Sequence, residues 1–223
     1  MLPLIFFSNN AHKAAEVQAI LGQEVLAYTR LLGRVEVIEN GDSFEENAHL
    51  KAQALYPLLA DKMQDFCVLA EDSGLCVEAL NGYPGIYSAR FASIQADAKA
   101  IMAGNFTPPT LSASDTENNH KLLACLDALT LSESVACFVC VVALCGRVRG
   151  RTFQQSFRGE CLGKIIKAPL KPNTFGYDPL FIPQGYSQTI DTLKEKNQIS
   201  HRFLALQQAQ EFLKTFKGQE RMD

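Results

Sequence analysis

The feature that most constrains this chain is an apolar pattern that keeps changing period. Short unbroken apolar runs alternate with stripes at helical spacing, and that alternation specifies an α/β domain. Leu2 to Phe7 reads as a buried strand. A helix follows from about Ala11 to Leu21, with Ala14, Val17, Ile20 and Leu21 at helical spacing. A second helix starts near Ser43 with the stripe Ala48, Ala52, Leu55 and Leu59, and Pro57 kinks or shortens it. Phe66 to Ala70 reads as a short buried strand, and Leu75 to Ala79 continues extended after a turn at Ser73-Gly74. Asn81-Gly82-Tyr83-Pro84-Gly85 is a turn cluster, and Gly104 to Asp115 an exposed excursion between helices. Lys121 to Leu131 is helical, and Val135 to Cys145 pairs with Gly150 to Phe157 as strands. After a loop around Pro169 to Pro172 come Phe175 to Ile182 and a closing helix from about His201 to Phe216. Consecutive strands between 135 and 166 require a mixed twisted sheet flanked by helices.

The 223 residues fit one domain or two closely joined lobes, and 47% hydrophobic residues can bury a sizeable core. The formal net charge is −3, so the basic excess expected of a protein that binds long nucleic acid is missing. Any anionic ligand should be small and held by a few placed cations. The longest apolar runs, Leu2 to Phe7 and Val135 to Cys145, are too short for a signal-peptide core or a membrane span, which predicts a cytoplasmic protein. Cys137 and Cys140 form a C-x-x-C inside a predicted strand, where residues three apart face opposite ways and cannot easily share a zinc ion. The seven cysteines are expected to be reduced core thiols.

Four segments carry candidate chemistry. Ser8-Asn9-Asn10-Ala11-His12-Lys13 lies where a strand hands over to a helix, a natural phosphate cradle of backbone N–H groups with Lys13 above it. The alternative is plain helix capping, with Lys13 paired to a surface acid such as Glu16. Ser43 and Glu46 have capping-box spacing, and Asn47 and Lys51 share the next helical face. Glu71-Asp72-Ser73-Gly74 puts two acids at a strand's C-terminal end, the ligand-binding edge of α/β sheets, where carboxylates can hold Mg²⁺. An acidic turn without metal is the other reading. Phe175-Gly176-Tyr177-Asp178-Pro179 offers rings on which a base can stack, and Lys196, His201 and Arg202 offer cationic donors. A β-turn and an ordinary polar helix start would explain the same residues.

These segments belong to an ordered set: Ser8-x-Asn10-x-x-Lys13, Ser43-Phe44-x-Glu46-Asn47-Ala48-x-x-Lys51-Ala52, Asp72-Ser73-Gly74-Leu75, Gly85-Ile86-Tyr87-Ser88-Ala89-Arg90, Asn118-x-x-Lys121-Leu122-Leu123, Phe175 to Pro179, and Glu195-Lys196-Asn197-x-Ile199-Ser200-His201-Arg202. The set resembles the inosine/xanthosine triphosphate pyrophosphatase family and spans nearly the whole chain. The resemblance implies a single domain over 1–223 of two lobes with a central cleft, assembled as a homodimer. It implies Mg²⁺-dependent hydrolysis of a small-molecule substrate, ITP, dITP or XTP, to the monophosphate and pyrophosphate.

Carried over by residue, Ser8, Asn9, Asn10, Ala11, His12 and Lys13 hold the triphosphate, and Glu46 and Asp72 bind the metal. Asp72 also accepts the proton of the attacking water. Ser73, Phe175, Gly176, Tyr177, Asp178, Lys196, His201 and Arg202 contact substrate. Glu71 stands where the family usually has Asp, and Lys171-Pro172-Asn173-Thr174 where a glycine pair often precedes the Phe-Gly-Tyr-Asp block. A pyrophosphatase for modified pyrimidine or methylated nucleotides is the related alternative, and a catalytically silent nucleotide-binding regulator the distant one.

Overall fold

The computed structural model describes residues 2–168, 170 and 175–217. The loop expected around Pro169 to Pro172 falls, apart from Leu170, outside the described residues, as does the Lys171 to Thr174 stretch. Six strands form one open sheet in the order β2-β1-β3-β4-β5-β6. They are β1 (Leu4–Phe7), β2 (Leu26–Ala27), β3 (Phe66–Val77), β4 (Glu133–Val148), β5 (Arg151–Ile166) and β6 (Phe181–Pro183). Strand β1 is parallel to β2 and β3, whereas β6 is antiparallel to β5, so the sheet is mixed as the strand spacing requires. The helices are α1 (Ala11–Leu21), α2 (Phe44–Ala60), α3 (Ala98–Met102), α4 (Asp115–Ala128), α5 (Lys196–Ile199) and α6 (His201–Lys217).

The chain divides into two compact units. The first comprises 1–72, 140–159 and 197–223. Its strand β1 is buried on both faces: Leu4 and Phe6 pack with Val17 and Leu21 of α1 and with Leu206, Ala209 and Leu213 of α6. Alternation puts Ile5 and Phe7 on the other face, and both are buried. The α2 stripe of Ala48, Ala52, Leu55 and Leu59 is fully buried, as its spacing predicted. Gly159 of β5 lies under α6, where a Cβ would sit 2.2 Å from the His201 carbonyl oxygen and 2.5 Å from the Ala205 nitrogen. That close approach lets the start of α6 lie directly on the strand.

The second unit comprises 73–139 and 160–196. Leu75, Phe91, Ile101, Leu122, Leu126, Phe138 and Phe181 form its core, with Phe138 and Phe181 edge to face at 4.7 Å.

Several elements depart from the sequence reading for identifiable reasons. No turn interrupts β3 at Ser73-Gly74; the strand runs unbroken through both. Ser and Gly favour turns in isolation, but β3 has the long strand β4 as its neighbour beyond the end of β1, and sheet pairing overrides that preference. Glu71 and Asp72 therefore sit mid-strand instead of at its end. Phe7 pairs with Ala70, however, so the two acids come just past the last residue of the parallel β1·β3 ladder. Helix α4 starts at Asp115, not Lys121, because Ser114 and Glu117 form a reciprocal capping box. Helix α2 continues past Pro57 to Ala60, since a proline in the last turn removes only one helical hydrogen bond. The β4–β5 hairpin is longer than expected and turns at Arg149-Gly150, both with positive φ, the geometry that matches strand twist. Phe175 to Ile182 holds a turn and a short 3-10 segment at Asp178–Leu180 that lead into β6.

Candidate active site

In the first unit the β1–α1 junction is built as a capped helix start. The Asn10 side-chain oxygen accepts the Lys13 backbone N–H at 3.1 Å, and the Ser8 hydroxyl accepts the Asn10 N–H at 3.1 Å. The Tyr28 hydroxyl donates to the Asn9 side chain at 2.7 Å, tying the loop to a fully buried ring. Asn9 to His12 are exposed, so the positive end of α1 faces solvent. Lys13 does reach back to an anion, but that anion is Glu71, 3.1 Å from its Nζ.

Glu71 is the centre of a buried charge network. Arg202 donates to both of its carboxylate oxygens, at 2.8 and 3.1 Å, and to Glu16 as well. Cys140 Sγ lies 3.6 Å from Glu71 Oε2. Burial alone would push the Glu71 carboxyl up, but the Arg202 and Lys13 charges outweigh it and hold it well below the usual carboxylate range. At least three of the five N–H groups of Arg202 point at protein carboxylates, and its side chain is 2% exposed. The geometry favours a positioning role for this guanidinium, at the foot of α6. His201, beside it, is also buried.

The neighbouring cluster is centred on Asp72. Lys51 Nζ lies 2.9 Å from Asp72 Oδ1 and 3.1 Å from Glu39 Oε2, so one ammonium bridges two carboxylates. Asn47, one turn before Lys51 on α2, directs its amide to Asp72 Oδ2 at 3.4 Å and accepts the Gly41 N–H at 2.9 Å. The shared helical face of Asn47 and Lys51 thus points at the acid. Burial, supported by the nearby Glu39 charge, raises the Asp72 pKa against the pull of Lys51 and Lys13. Burial opposes the charge on Lys51, but Asp72 and Glu39 together keep it protonated. Glu46 is exposed, and its Oε2 accepts the Asp42 N–H at 2.6 Å, which is the work of a helix cap. The carboxylate that the structure brings to Lys51 beside Asp72 is Glu39. It lies in irregular chain before α2, where no periodicity singles it out. Lys51 stood in the motif but was given no role.

The second unit holds the aromatic turn. Tyr177 is buried, and its hydroxyl donates to the Ser88 carbonyl at 2.8 Å, so it anchors the turn and leaves the half-buried Phe175 as the ring able to stack. Lys196 Nζ is 2.7 Å from Asp178 and 5.4 Å from the centre of the Phe175 ring. Gly176 has φ +55°, a conformation a side chain would strain. Ser73 continues along β3 immediately after Asp72.

All seven cysteines are unpaired with one another, Cys76 and Cys137 being half-buried and the rest buried. No helix among the described residues is long and apolar enough to cross a membrane.

The dITP/XTP pyrophosphatase of Campylobacter jejuni subsp. doylei is 37% identical over 217 residues, covering 96% of this chain and 98% of the relative. The dITP/XTP pyrophosphatase of Clostridium perfringens is 38% identical over 220 residues, with 96% and 98% covered. Among solved structures, the Ham1 protein of Staphylococcus aureus matches with a TM-score of 0.71 at 36% identity, covering 96% of this chain and 98% of that one. A Ham1 protein from Coxiella burnetii matches with a TM-score of 0.74 at 32% identity, covering 96% and 100%. The model of the Ham1 family matches residues 4–212, and the chain belongs to that family.

Proposed function

We propose that this protein hydrolyses the deaminated purine nucleoside triphosphates ITP, dITP and XTP to the nucleoside monophosphate and pyrophosphate, with Mg²⁺ as its cofactor. The observation that carries the proposal is the charge balance of the first unit. Three cations, Lys13, Lys51 and Arg202, are engaged by four carboxylates, Glu16, Glu39, Glu71 and Asp72. Such a group does not attract a triphosphate by itself. It becomes receptive when a divalent cation joins the acids.

The donor set suits Mg²⁺, which takes oxygen ligands and is usually held by one or two carboxylates together with substrate phosphates and water. Asp72 and Glu39 are those carboxylates in the proposal. Glu46 was the expected second ligand, and its capping bond to Asp42 is the reason for placing Glu39 there instead. When bound, the ion screens phosphate charge and acidifies the attacking water.

The chain's own groups do the rest. Helix α1 offers its N-terminal N–H groups, and Lys13 its ammonium, to the polyphosphate. Asp72 takes the proton of the water as its oxygen bonds to phosphorus and the anhydride oxygen leaves with pyrophosphate; burial has made that carboxylate more basic than a surface Asp. Phe175, held beside Lys196 and Asp178, is a stacking face for a base, and Ser73, Gly176 and Tyr177 are taken as further substrate contacts. Hypoxanthine and xanthine carry an acceptor at position 6 where adenine carries a donor. A donor from His201 matches the first and mismatches the second, and a buried polar mismatch discriminates strongly. A cytoplasmic homodimer accompanies this reading.

The test is pyrophosphate release from ITP, GTP and ATP, with and without Mg²⁺, in the wild type and Asp72→Asn. Turnover should be confined to ITP, vanish without the metal and fall by at least about 100-fold in the variant, the scale on which a general base contributes. Equal rates on GTP would overturn the specificity, and undiminished rates in Asp72→Asn the chemistry.

A further inference from the structure

The turn at Phe175 to Asp178 is held from outside by two side chains that the family motifs leave without a role. Asp115 and Asn119 stand one turn apart on α4 and therefore share a face. Asp115 Oδ2 accepts the Gly176 N–H at 2.9 Å, and Asn119 Nδ2 donates to the Gly176 carbonyl at 2.8 Å. Both backbone groups of one residue are thus taken by one helix, much as a strand neighbour would take them. Gly176 is the residue with positive φ, and the turn closes with the Asp178 N–H on the Phe175 carbonyl at 3.3 Å. Its flanking residues are the two that meet Lys196: the Phe175 ring beneath the ammonium and the Asp178 carboxylate against it.

Asn119 is an expensive way to fill its place. It is 2% exposed, and its Oδ1 is buried with no hydrogen-bond partner among the described residues. An apolar residue of the same size would avoid that loss. What the amide provides, and an apolar residue could not, is the hydrogen bond to Gly176.

We propose that Asp115 and Asn119 are positioning residues for base recognition, acting through Gly176 to set the Phe175 ring and the Asp178–Lys196 pair. The inference rests on the reading above that Phe175 to Asp178 contact substrate. It places their effect on nucleotide affinity, not on the proton transfer at Asp72.

The experiment uses Asn119→Ala, Asn119→Leu, Asp115→Ala and Phe175→Ala, with KM and kcat for ITP and the inhibition constant of inorganic tripolyphosphate, which has no base. Asp115 is exposed, so its truncation keeps the protein foldable should Asn119 variants not be. Losing one hydrogen bond to the turn should raise KM for ITP about tenfold, equivalent to about 1.4 kcal/mol. The kcat and the tripolyphosphate constant should stay within about twofold of wild type. Asn119→Leu should behave like Asn119→Ala despite its better packing. A rise in KM for Phe175→Ala with none for Asp115→Ala or a folded Asn119 variant would overturn the positioning role alone. No change for Phe175→Ala would overturn the reading of the turn itself. An equal loss of tripolyphosphate binding would show a general structural effect and also refute the inference.

Discussion

Replacing Glu71 by Gln is the sharpest test of the charge network, because it keeps the shape and removes one charge. In the wild type Glu71 and Glu16 balance Arg202 and Lys13; in the variant one buried positive charge is uncompensated. Removing one partner of a buried ion pair costs about 3–5 kcal/mol. Glu16 remains on Arg202, so the lower end, about 3 kcal/mol, applies at neutral pH. For a chain of this size that lowers Tm by about 6–12 °C. The pH dependence gives a second handle. The Glu71 carboxyl is held far below its ordinary value in the folded state, so its stabilisation is fully present above the unfolded-state pKa and is lost as pH falls. The difference between wild type and variant should shrink by about 1.4 kcal/mol per unit below a pH of about 4.3. It should vanish roughly two units further down. The chain has no Trp, so urea unfolding followed by circular dichroism between pH 7 and pH 3 is the assay. Equal midpoints at pH 7, or a gap that does not narrow in acid, would refute the reasoning.

Two further outcomes follow from packing. Gly159→Ala would drive a Cβ into the backbone of α6 at His201 and Ala205, so its urea midpoint should fall by the equivalent of about 1–3 kcal/mol, with activity falling too; an unchanged midpoint would show that α6 can yield. Burial pushes the Cys161 thiol up to about 11 and raises Cys140 well above its ordinary value. Mass spectrometry after iodoacetamide treatment at pH 8 should find the half-buried Cys76 and Cys137 modified before Cys140, and native Cys140 reacting as fast as in urea would contradict its burial.

What the sequence made legible was local. The strand-to-helix handover at Ser8 to Lys13, the capped start of α2 and the shared face of Asn47 and Lys51 all depend on residues a few positions apart. The start of α4 carried the same kind of signal, Ser114 and Glu117 at capping-box spacing, yet the sequence reading begins that helix only at Lys121. What could not be read depends on distant partners. Arg202 meets Glu71 and Glu16 across separations of 131 and 186 positions, so its appearance as an available cation beside His201 was the natural reading of the segment alone. Glu39 belongs to Asp72 only because Lys51 reaches both, and nothing in its own neighbourhood marks it. The supposed turn at Ser73-Gly74 failed because a neighbouring strand, absent from a local window, outweighs turn propensity.

The same long-range pairings bear on how a triphosphate would enter. Lys13 and Lys51 are engaged by Glu71, Asp72 and Glu39 before any ligand arrives, so phosphate cannot simply add to waiting cations. It must exchange for a carboxylate already in place, and exchange between two anions of similar basicity gains little. A divalent ion held by Asp72 and Glu39 would change that balance, since Lys51 could then turn to phosphate while neither acid is left without a cation. Glu71 differs, since Arg202 donates to both of its oxygens in addition to Lys13. Were Lys13 to move to substrate, Glu71 would keep Arg202 as its partner, shared with Glu16. Within the proposed reaction, this is the physical role of a second acid next to Asp72.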